Sequence, residues 1–203
     1  DGKIKGVTLT SGDELKAKAI IFACGGFESS ATLRSKFLGL EWASAKVRGT
    51  PNNTGDGLIA AWDLGAQRYG RFNGCHATPM DYFMKDYGNL SIPHGERKNY
   101  RKICYFLGVM LNEHGLRFLD EGVDFRNYTY AQFGQAILKE PGKRAWQIFD
   151  SKVFDLLYSE YEFSDAHYEE ADSLAELFQK CDGLDSLTAM KTLQEFNRNV
   201  AKE

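Results

Sequence analysis

Val109-Met110-Leu111-Asn112-Glu113-His114-Gly115-Leu116-Arg117-Phe118-Leu119 predicts a strand, a tight turn and a second strand. The apolar run on each side is short, and Glu113-His114-Gly115 supplies the turn chemistry between them. Asp120-Glu121 follows, then Asp124-Phe125-Arg126-Asn127, and residues 129–139 carry helical spacing. Short strands beside helices predict an α+β arrangement.

Downstream, residues 151–161, 168–181 and 185–202 read as helical, the last two joined near Asp182-Gly183. Leu187, Met190, Leu193 and Phe196 are spaced to pack the last helix on the one before it. Upstream, residues 1–23 read as a hairpin turning at Ser11-Gly12-Asp13, followed by a strand. Ile20-Ile21-Phe22-Ala23 is continuously apolar, which suits a strand covered on both faces. Gly25-Gly26 ends it. Residues 29–39 read as an amphipathic helix and 43–53 as a loop. Thr54 is placed to cap a helix running to Leu64, with Gly65 as its stop.

The composition is that of an ordinary globular chain: 43% hydrophobic, 26% charged, and 13% aromatic, which suits a well-packed core or a lined pocket. The net charge of −3 with scattered Lys and Arg argues against nucleic acid or an anionic membrane as partner. No apolar run approaches the ~20 residues that span a bilayer, and no signal-peptide pattern follows Asp1. A first residue other than Met suggests a processed or cut chain. Cys24, Cys75, Cys104 and Cys181 lie far apart with no Cys-x-x-Cys pair, so no metal site is expected. Buried free thiols in a reducing, cytoplasmic compartment are the expectation.

Three stretches together resemble the flavoproteins of the fumarate reductase and succinate dehydrogenase family. The first is Ile21-Phe22-Ala23-Cys24-Gly25-Gly26-Phe27, similar to that family's strand ending in Ala-Thr-Gly-Gly-Phe, with Cys24 in place of Thr. The second is Asn53-Thr54-Gly55-Asp56-Gly57, similar to its Thr-Gly-Asp-Gly helix start. The third is the stretch from Val109 to Asn127, extended by Ala136-Ile137-Leu138, Pro141-Gly142 and Ala145-Trp146-Gln147-Ile148-Phe149-Asp150. It resembles the capping domain of soluble fumarate reductases. The Phe-Arg-Asn-Tyr-Thr-Tyr run from Phe125 looks most like the tricarballylate dehydrogenase branch.

The resemblance implies an excised piece: residues 1–66 as a β-rich remnant of an FAD-binding domain, and 67–203 as the substrate-capping domain with the start of a return segment. It implies FAD as cofactor, placed beside Gly25, Gly26, Thr54, Gly55 and Asp56. The second reading of Asp56 is a self-capped helix. The chain has no Gly-x-Gly-x-x-Gly turn, so the piece alone is not expected to hold FAD firmly. The implied reaction moves a hydride between flavin and a small polycarboxylate, with an unspecified electron-transfer partner.

Arg126 matches the family's proton-transferring arginine, one residue further from Arg117 than in the soluble fumarate reductases, with Gly122-Val123-Asp124 as the insertion. Glu121 and Asp124 are the implied proton relay. The structural reading of Arg126 is a salt bridge to one of those carboxylates. His76, in Cys75-His76-Ala77-Thr78-Pro79, resembles the family's substrate-binding His-Pro-Thr, with Ala77 in place of Pro and Thr78 retained. Arg101 stands where an acidic residue is found in fumarate reductases and would favour a more anionic substrate, or else belongs to the solvated stretch Lys98–Lys102. His94, His114 and His167 read as loop or surface residues. Two other functions stay open. One is a flavin dehydrogenase of a substrate such as a ketosteroid, which would place a Tyr where Arg126 stands. The other is a non-enzymatic binding domain.

Overall fold

The computed structural model describes residues 3–200; the outermost residues of the segments read from the sequence as 1–23 and 185–202 lie outside that range. The architecture is α+β, with five helices and two small antiparallel sheets among the described residues. Strands β1 (Gly6–Thr8) and β2 (Glu14–Lys16) pair as Gly6↔Lys16, Val7↔Leu15 and Thr8↔Glu14. Their turn is the expected one: Leu9 N–H reaches Asp13 O at 2.9 Å, and Gly12 sits at φ 91° where a side chain would be strained.

Residues 20–23 correct the next expectation. They form no strand, and Ile21 is 90% exposed. A strand exists only where neighbouring backbone completes its ladder, and no described backbone pairs with this segment.

Helix α1 (Ala31–Phe37) starts on Ser30, whose hydroxyl accepts Leu33 N–H at 3.3 Å. Its buried Arg34 donates to four backbone carbonyls, those of Glu28, Trp42, Ala43 and Ala45, and so brackets the turn Leu40–Ser44. Helix α2 (Asp56–Asp63) is capped differently from expectation. Gly55, in the left-handed region at φ 88°, is the N-cap, while Thr54 gives its hydroxyl to the Asp56 carboxylate at 2.7 Å. Gly65 stops the helix as expected: its N–H bonds Trp62 O, and the Ala66 N–H bonds Ala61 O. Phe27, Phe37, Trp62 and Phe72 pack in tilted and T-shaped pairs at centroid distances of 5.4–6.1 Å and hold α1 to α2.

The second sheet positions the site. Strand β3 (Val109–Leu111) pairs with β4 (Trp146–Ile148), as Val109↔Ile148, Met110↔Gln147 and Leu111↔Trp146. The predicted partner, residues 116–119, is not a strand. The tight turn does form, with Asn112 N–H to Leu116 O at 3.0 Å and Gly115 at φ 69°. The chain then leaves, because Glu121 takes the Met110 N–H at 2.6 Å, the donor a second strand would have engaged.

All three β3 side chains are buried, and they alternate between two cores. Val109 and Leu111 pack with Phe178, Leu184, Ala189 and Leu193 of α4 (Leu174–Lys180), α5 (Ser186–Val200) and the link between them. Met110 packs with Ile103, Tyr105 and Phe133, the last from α3 (Arg126–Ile137). Leu187, expected in the helix contact, is 78% exposed instead. Residues 151–161 form two 3-10 turns, Ser151–Leu156 and Ser159–Tyr161, rather than one α-helix, because Leu157 and Tyr158 between them are extended. Of the predicted helix 168–181, only α4 forms. The cysteines are all free; Cys104 and Cys181 are buried as expected, Cys75 is half-buried and Cys24 is exposed.

Candidate functional site

Two loops carry the residues expected at the cofactor, and the structure packs them together. Ser29 N–H bonds Asn53 O at 2.9 Å, and the Asn53 carboxamide donates to Glu28. A Cβ on Gly25 would strike Asn53 Oδ1 at 2.5 Å, one on Gly55 would strike Leu33 Cδ1 at 2.5 Å, and one on Gly57 would strike Cys24 Sγ at 2.1 Å. The glycines are therefore the condition for loop 24–27 and loop 53–57 to touch. Asp56 is exposed at the start of α2, and Gly25 and Gly26 carry no side chain in the loop that packs on 53–57. Asn53 and Glu28 were not singled out from the sequence; their pairing spans 25 residues, and no local spacing signals it.

Of the residues expected on the substrate side, Arg126 lies on α3 and His76 and Thr78 pack against it. Arg126 is its first residue, after an N-cap, Phe125, that makes no side-chain cap. A cation at this end of a helix faces the positive pole of the dipole. Arg126 has no carboxylate within ion-pair distance among the described residues; its guanidinium lies over the Tyr158 ring, 5.5 Å from the centroid. The alternative reading of Arg126, a salt bridge to Glu121 or Asp124, is not formed among the described residues. Glu121 is 5% exposed and holds Arg117 and the Met110 N–H. Asp124 accepts the Phe125 N–H at 2.6 Å. Buried Tyr105 fixes the first turn of α3 from below, through Thr129 Oγ1 at 2.7 Å and Arg126 O at 3.5 Å. Burial, chiefly, raises the Tyr105 pKa above the ordinary phenol value.

The segment 75–78, with His76 and Thr78, crosses the same helix. His76 Nε2 lies 2.8 Å from Tyr130 Oη, and Gln135 donates to Cys75 O at 2.9 Å. At Gly134 a Cβ would meet the Ala77 carbonyl carbon and Thr78 N, each at 2.5 Å. Tyr130 follows Arg126 by one helical turn, a spacing visible in the sequence but not read as a site. Gly134→Ala therefore separates two effects. In a free helix the change is stabilising by about 1 kcal/mol; with 75–78 seated here it should cost about 2 kcal/mol through overpacking. Chemical denaturation of the full-length variant reads the sign, and a gain in stability would refute the docking.

Arg101 does not join this group. Its Nε and Nη2 donate to Glu160 Oε1 at 3.0 and 2.6 Å, and its backbone bridges Met80. Burial works against the Glu160 charge, but the Arg101 hydrogen bond and neighbouring cations hold the carboxyl below its ordinary range. The pair is a structural clasp, and a substrate carboxylate would have to displace a buried one to use Arg101. His94 and His114 are exposed; His167, also exposed, stacks on Phe83 at 4.4 Å. A broad trough of about 2000 Å³ is bordered by His76, Thr78, Lys102, Trp146 and His167, but neither Arg126 nor Asp56 reaches it. No group of His, Cys, Asp and Glu among the described residues is arranged to hold a metal, and no described helix is long and apolar enough to cross a membrane.

No protein-family model matches the chain. It is similar to the vinyl phenol reductase of Lactiplantibacillus plantarum, 28% identical over 80% of this chain and 32% of that protein. It is also similar to the 3-oxosteroid 1-dehydrogenase of Mycobacterium tuberculosis, 29% identical over 89% of this chain and 32% of that one. A probable fumarate reductase of Shewanella frigidimarina is 26% identical over 91% of this chain and 29% of its own length. The chain thus spans about a third of the length of these curated relatives. Among solved structures, the open conformation of a flavocytochrome c3 fumarate reductase superposes with a TM-score of 0.64 at 23% identity, covering 93% of this chain and 30% of that one. A 3-ketosteroid Δ1-dehydrogenase from Sterolibacterium denitrificans gives 0.63 at 23% identity, over 90% and 34% of the two chains. The fold is therefore one these proteins contain.

Proposed function

We propose that this chain is the substrate-facing part of an FAD-dependent oxidoreductase acting on a CH–CH bond next to a carboxylate or carbonyl. In this reading residues 1–66 belong to the FAD-binding side and 67–203 to the cap. The named activities of the relatives support it, and so does the packing of the two glycine loops. These fit one edge of a flat cofactor, with bare backbone at Gly25 and Gly26 and a carboxylate at Asp56 beside the α2 N-terminus. No Gly-x-Gly-x-x-Gly turn lies in this chain, so the grip on the pyrophosphate is assigned elsewhere. FAD, when bound, supplies the hydride chemistry.

The observation that carries the reading is Arg126: a cation at the unfavourable end of α3, with no carboxylate partner among the described residues, one turn from the Tyr130–His76 contact. A site that breaks a local rule in this way is suited to an anion or a developing negative charge supplied by a ligand. In this role Arg126 orients the substrate and moves the proton, His76 and Thr78 bind its polar end, and Asp124 is the exposed carboxylate available as proton relay. A small polycarboxylate, tricarballylate-like or fumarate-like, is the first assignment.

A second assignment rests on a different observation. Phe125 and Tyr128, which flank Arg126, are 79% and 74% exposed, and Arg101 is withheld by Glu160. That surface suits an acid or ketone with an apolar body. The full-length protein, dithionite-reduced under argon, separates the two. Flavin reoxidation by fumarate or aconitate favours the polycarboxylate; reoxidation by a cinnamate or an unsaturated ketosteroid favours the second assignment. A purified full-length protein without flavin overturns both.

A further inference from the structure

We infer that Tyr130 is a positioning residue that fixes the tautomer of His76, so that its outward nitrogen is a hydrogen-bond donor. The inference rests on the carboxylate-binding role proposed for His76. Tyr130 is rooted: its ring packs against the cluster of Ile103, Tyr105, Met110 and Phe133. Its hydroxyl is 2.8 Å from His76 Nε2, and the two rings meet edge-on at 4.9 Å and 71°. The backbone under His76 is held independently. The Cys75 carbonyl is bonded by Gln135, and Ala77–Thr78 rest on the bare Gly134. Tyr130, Gly134 and Gln135 thus seat 75–78 on α3, with Arg126 one turn before Tyr130. His76 itself is exposed, with Nδ1 on the ring edge not engaged by Tyr130.

A neutral imidazole has one donor and one acceptor nitrogen. With Nε2–H donated to Tyr130, Nδ1 would be a bare acceptor and would repel a carboxylate. With the Tyr130 hydroxyl donating to Nε2, Nδ1 carries the hydrogen. When His76 is protonated, the phenol oxygen accepts instead, and Nδ1 still donates. A phenol can do both; a phenyl ring can do neither. Tyr130 therefore keeps His76 a donor whether the imidazole is neutral or protonated.

Tyr130→Phe in the full-length protein tests this. The KM for the acid substrate should rise roughly 3- to 10-fold at pH ~8, the weight of one neutral hydrogen bond. At a pH low enough to protonate the ring, where the imidazolium donates from both nitrogens, KM should stay close to the wild-type value. Flavin content and kcat should hold. An unchanged KM at both pH values overturns the inference. So does an equal rise at both, which marks a merely structural loss. Nitrogen-15 shifts of labelled histidine, assigned with His76→Gln, give a readout independent of any substrate. Wild type should show Nδ1–H at neutral pH and Tyr130→Phe should lose that preference. An Nε2–H tautomer in the wild type overturns the inference even if the proposed reaction stands. A protein that turns over none of the acids but shows Nδ1–H overturns the proposed reaction alone.

Discussion

Arg126→Lys in the full-length protein is expected to lower turnover about 100-fold while flavin content and folding are unchanged. The expectation follows from how little else Arg126 does. It holds no carboxylate among the described residues, and its one side-chain neighbour of note is the face of Tyr158. Lysine can occupy that face and keep the charge, so stability should barely move. Lysine cannot keep the planar fork that grips a carboxylate at two points, nor its fixed direction over the reacting carbon. The loss should therefore fall on kcat more than on KM. Arg101→Lys and Arg117→Lys are the controls, because those guanidinium groups are already engaged by Glu160 and Glu121. Steady-state kinetics on flavin-loaded protein decides the matter. A near-wild-type rate for Arg126→Lys removes it from the chemistry.

Glu121→Ala should be the most destabilising of the substitutions considered, by about 3 kcal/mol. Its carboxylate is buried and serves two masters: the Met110 N–H of a fully buried residue, and the Arg117 guanidinium. Removing it orphans a backbone donor inside the core and leaves a half-buried cation unpaired. Arg117 also leans on Phe196 of α5, 4.7 Å from the ring centroid, so the damage reaches the second core. Glu121→Gln keeps an oxygen for Met110 but loses the ion pair and turns an N–H donor toward Arg117, so it should cost less than Ala, about 2 kcal/mol. Urea midpoints of the two variants measure the difference. Equal midpoints for Ala and Gln would mean that the backbone hydrogen bond carries no weight.

What could be read from the sequence was what neighbouring residues decide. The hairpin turn at Ser11–Asp13, the helix starting at Ser30, the Gly65 stop and the long final helix all rest on contacts a few residues apart. What could not be read was long-range. The partner of β3 lies beyond a whole helix, and the nearer candidate, 116–119, had the better local pattern. A side-chain carboxylate took the place of that strand, which no periodicity signals. Residues 20–23 carry a buried-strand pattern without the described neighbours that would make it one. At the site, the two glycine loops were legible as motifs, and so was a helix over 129–139, but not that it begins at Arg126. The commitment of Arg101 to Glu160, 59 positions away, was not, and neither was the meeting of His76 with Tyr130 across 54.

The β3–β4 pairing also ties residues 112–145 into a closed ring, with α3 strung along its arc. A ring fixes where its ends meet but is indifferent to how much chain it encloses. Each doubling of length adds only about 0.6 kcal/mol of closure entropy. Gly122, Val123 and Asp124 are exposed and lie on that arc, between the Glu121 anchor and α3. An added residue there is absorbed as slack. The ladder keeps its register, and α3 keeps its seat on 75–78 through Tyr130, Gly134 and Gln135. Slack of this kind would let the distance from Arg117 to Arg126 change independently of the frame that carries both.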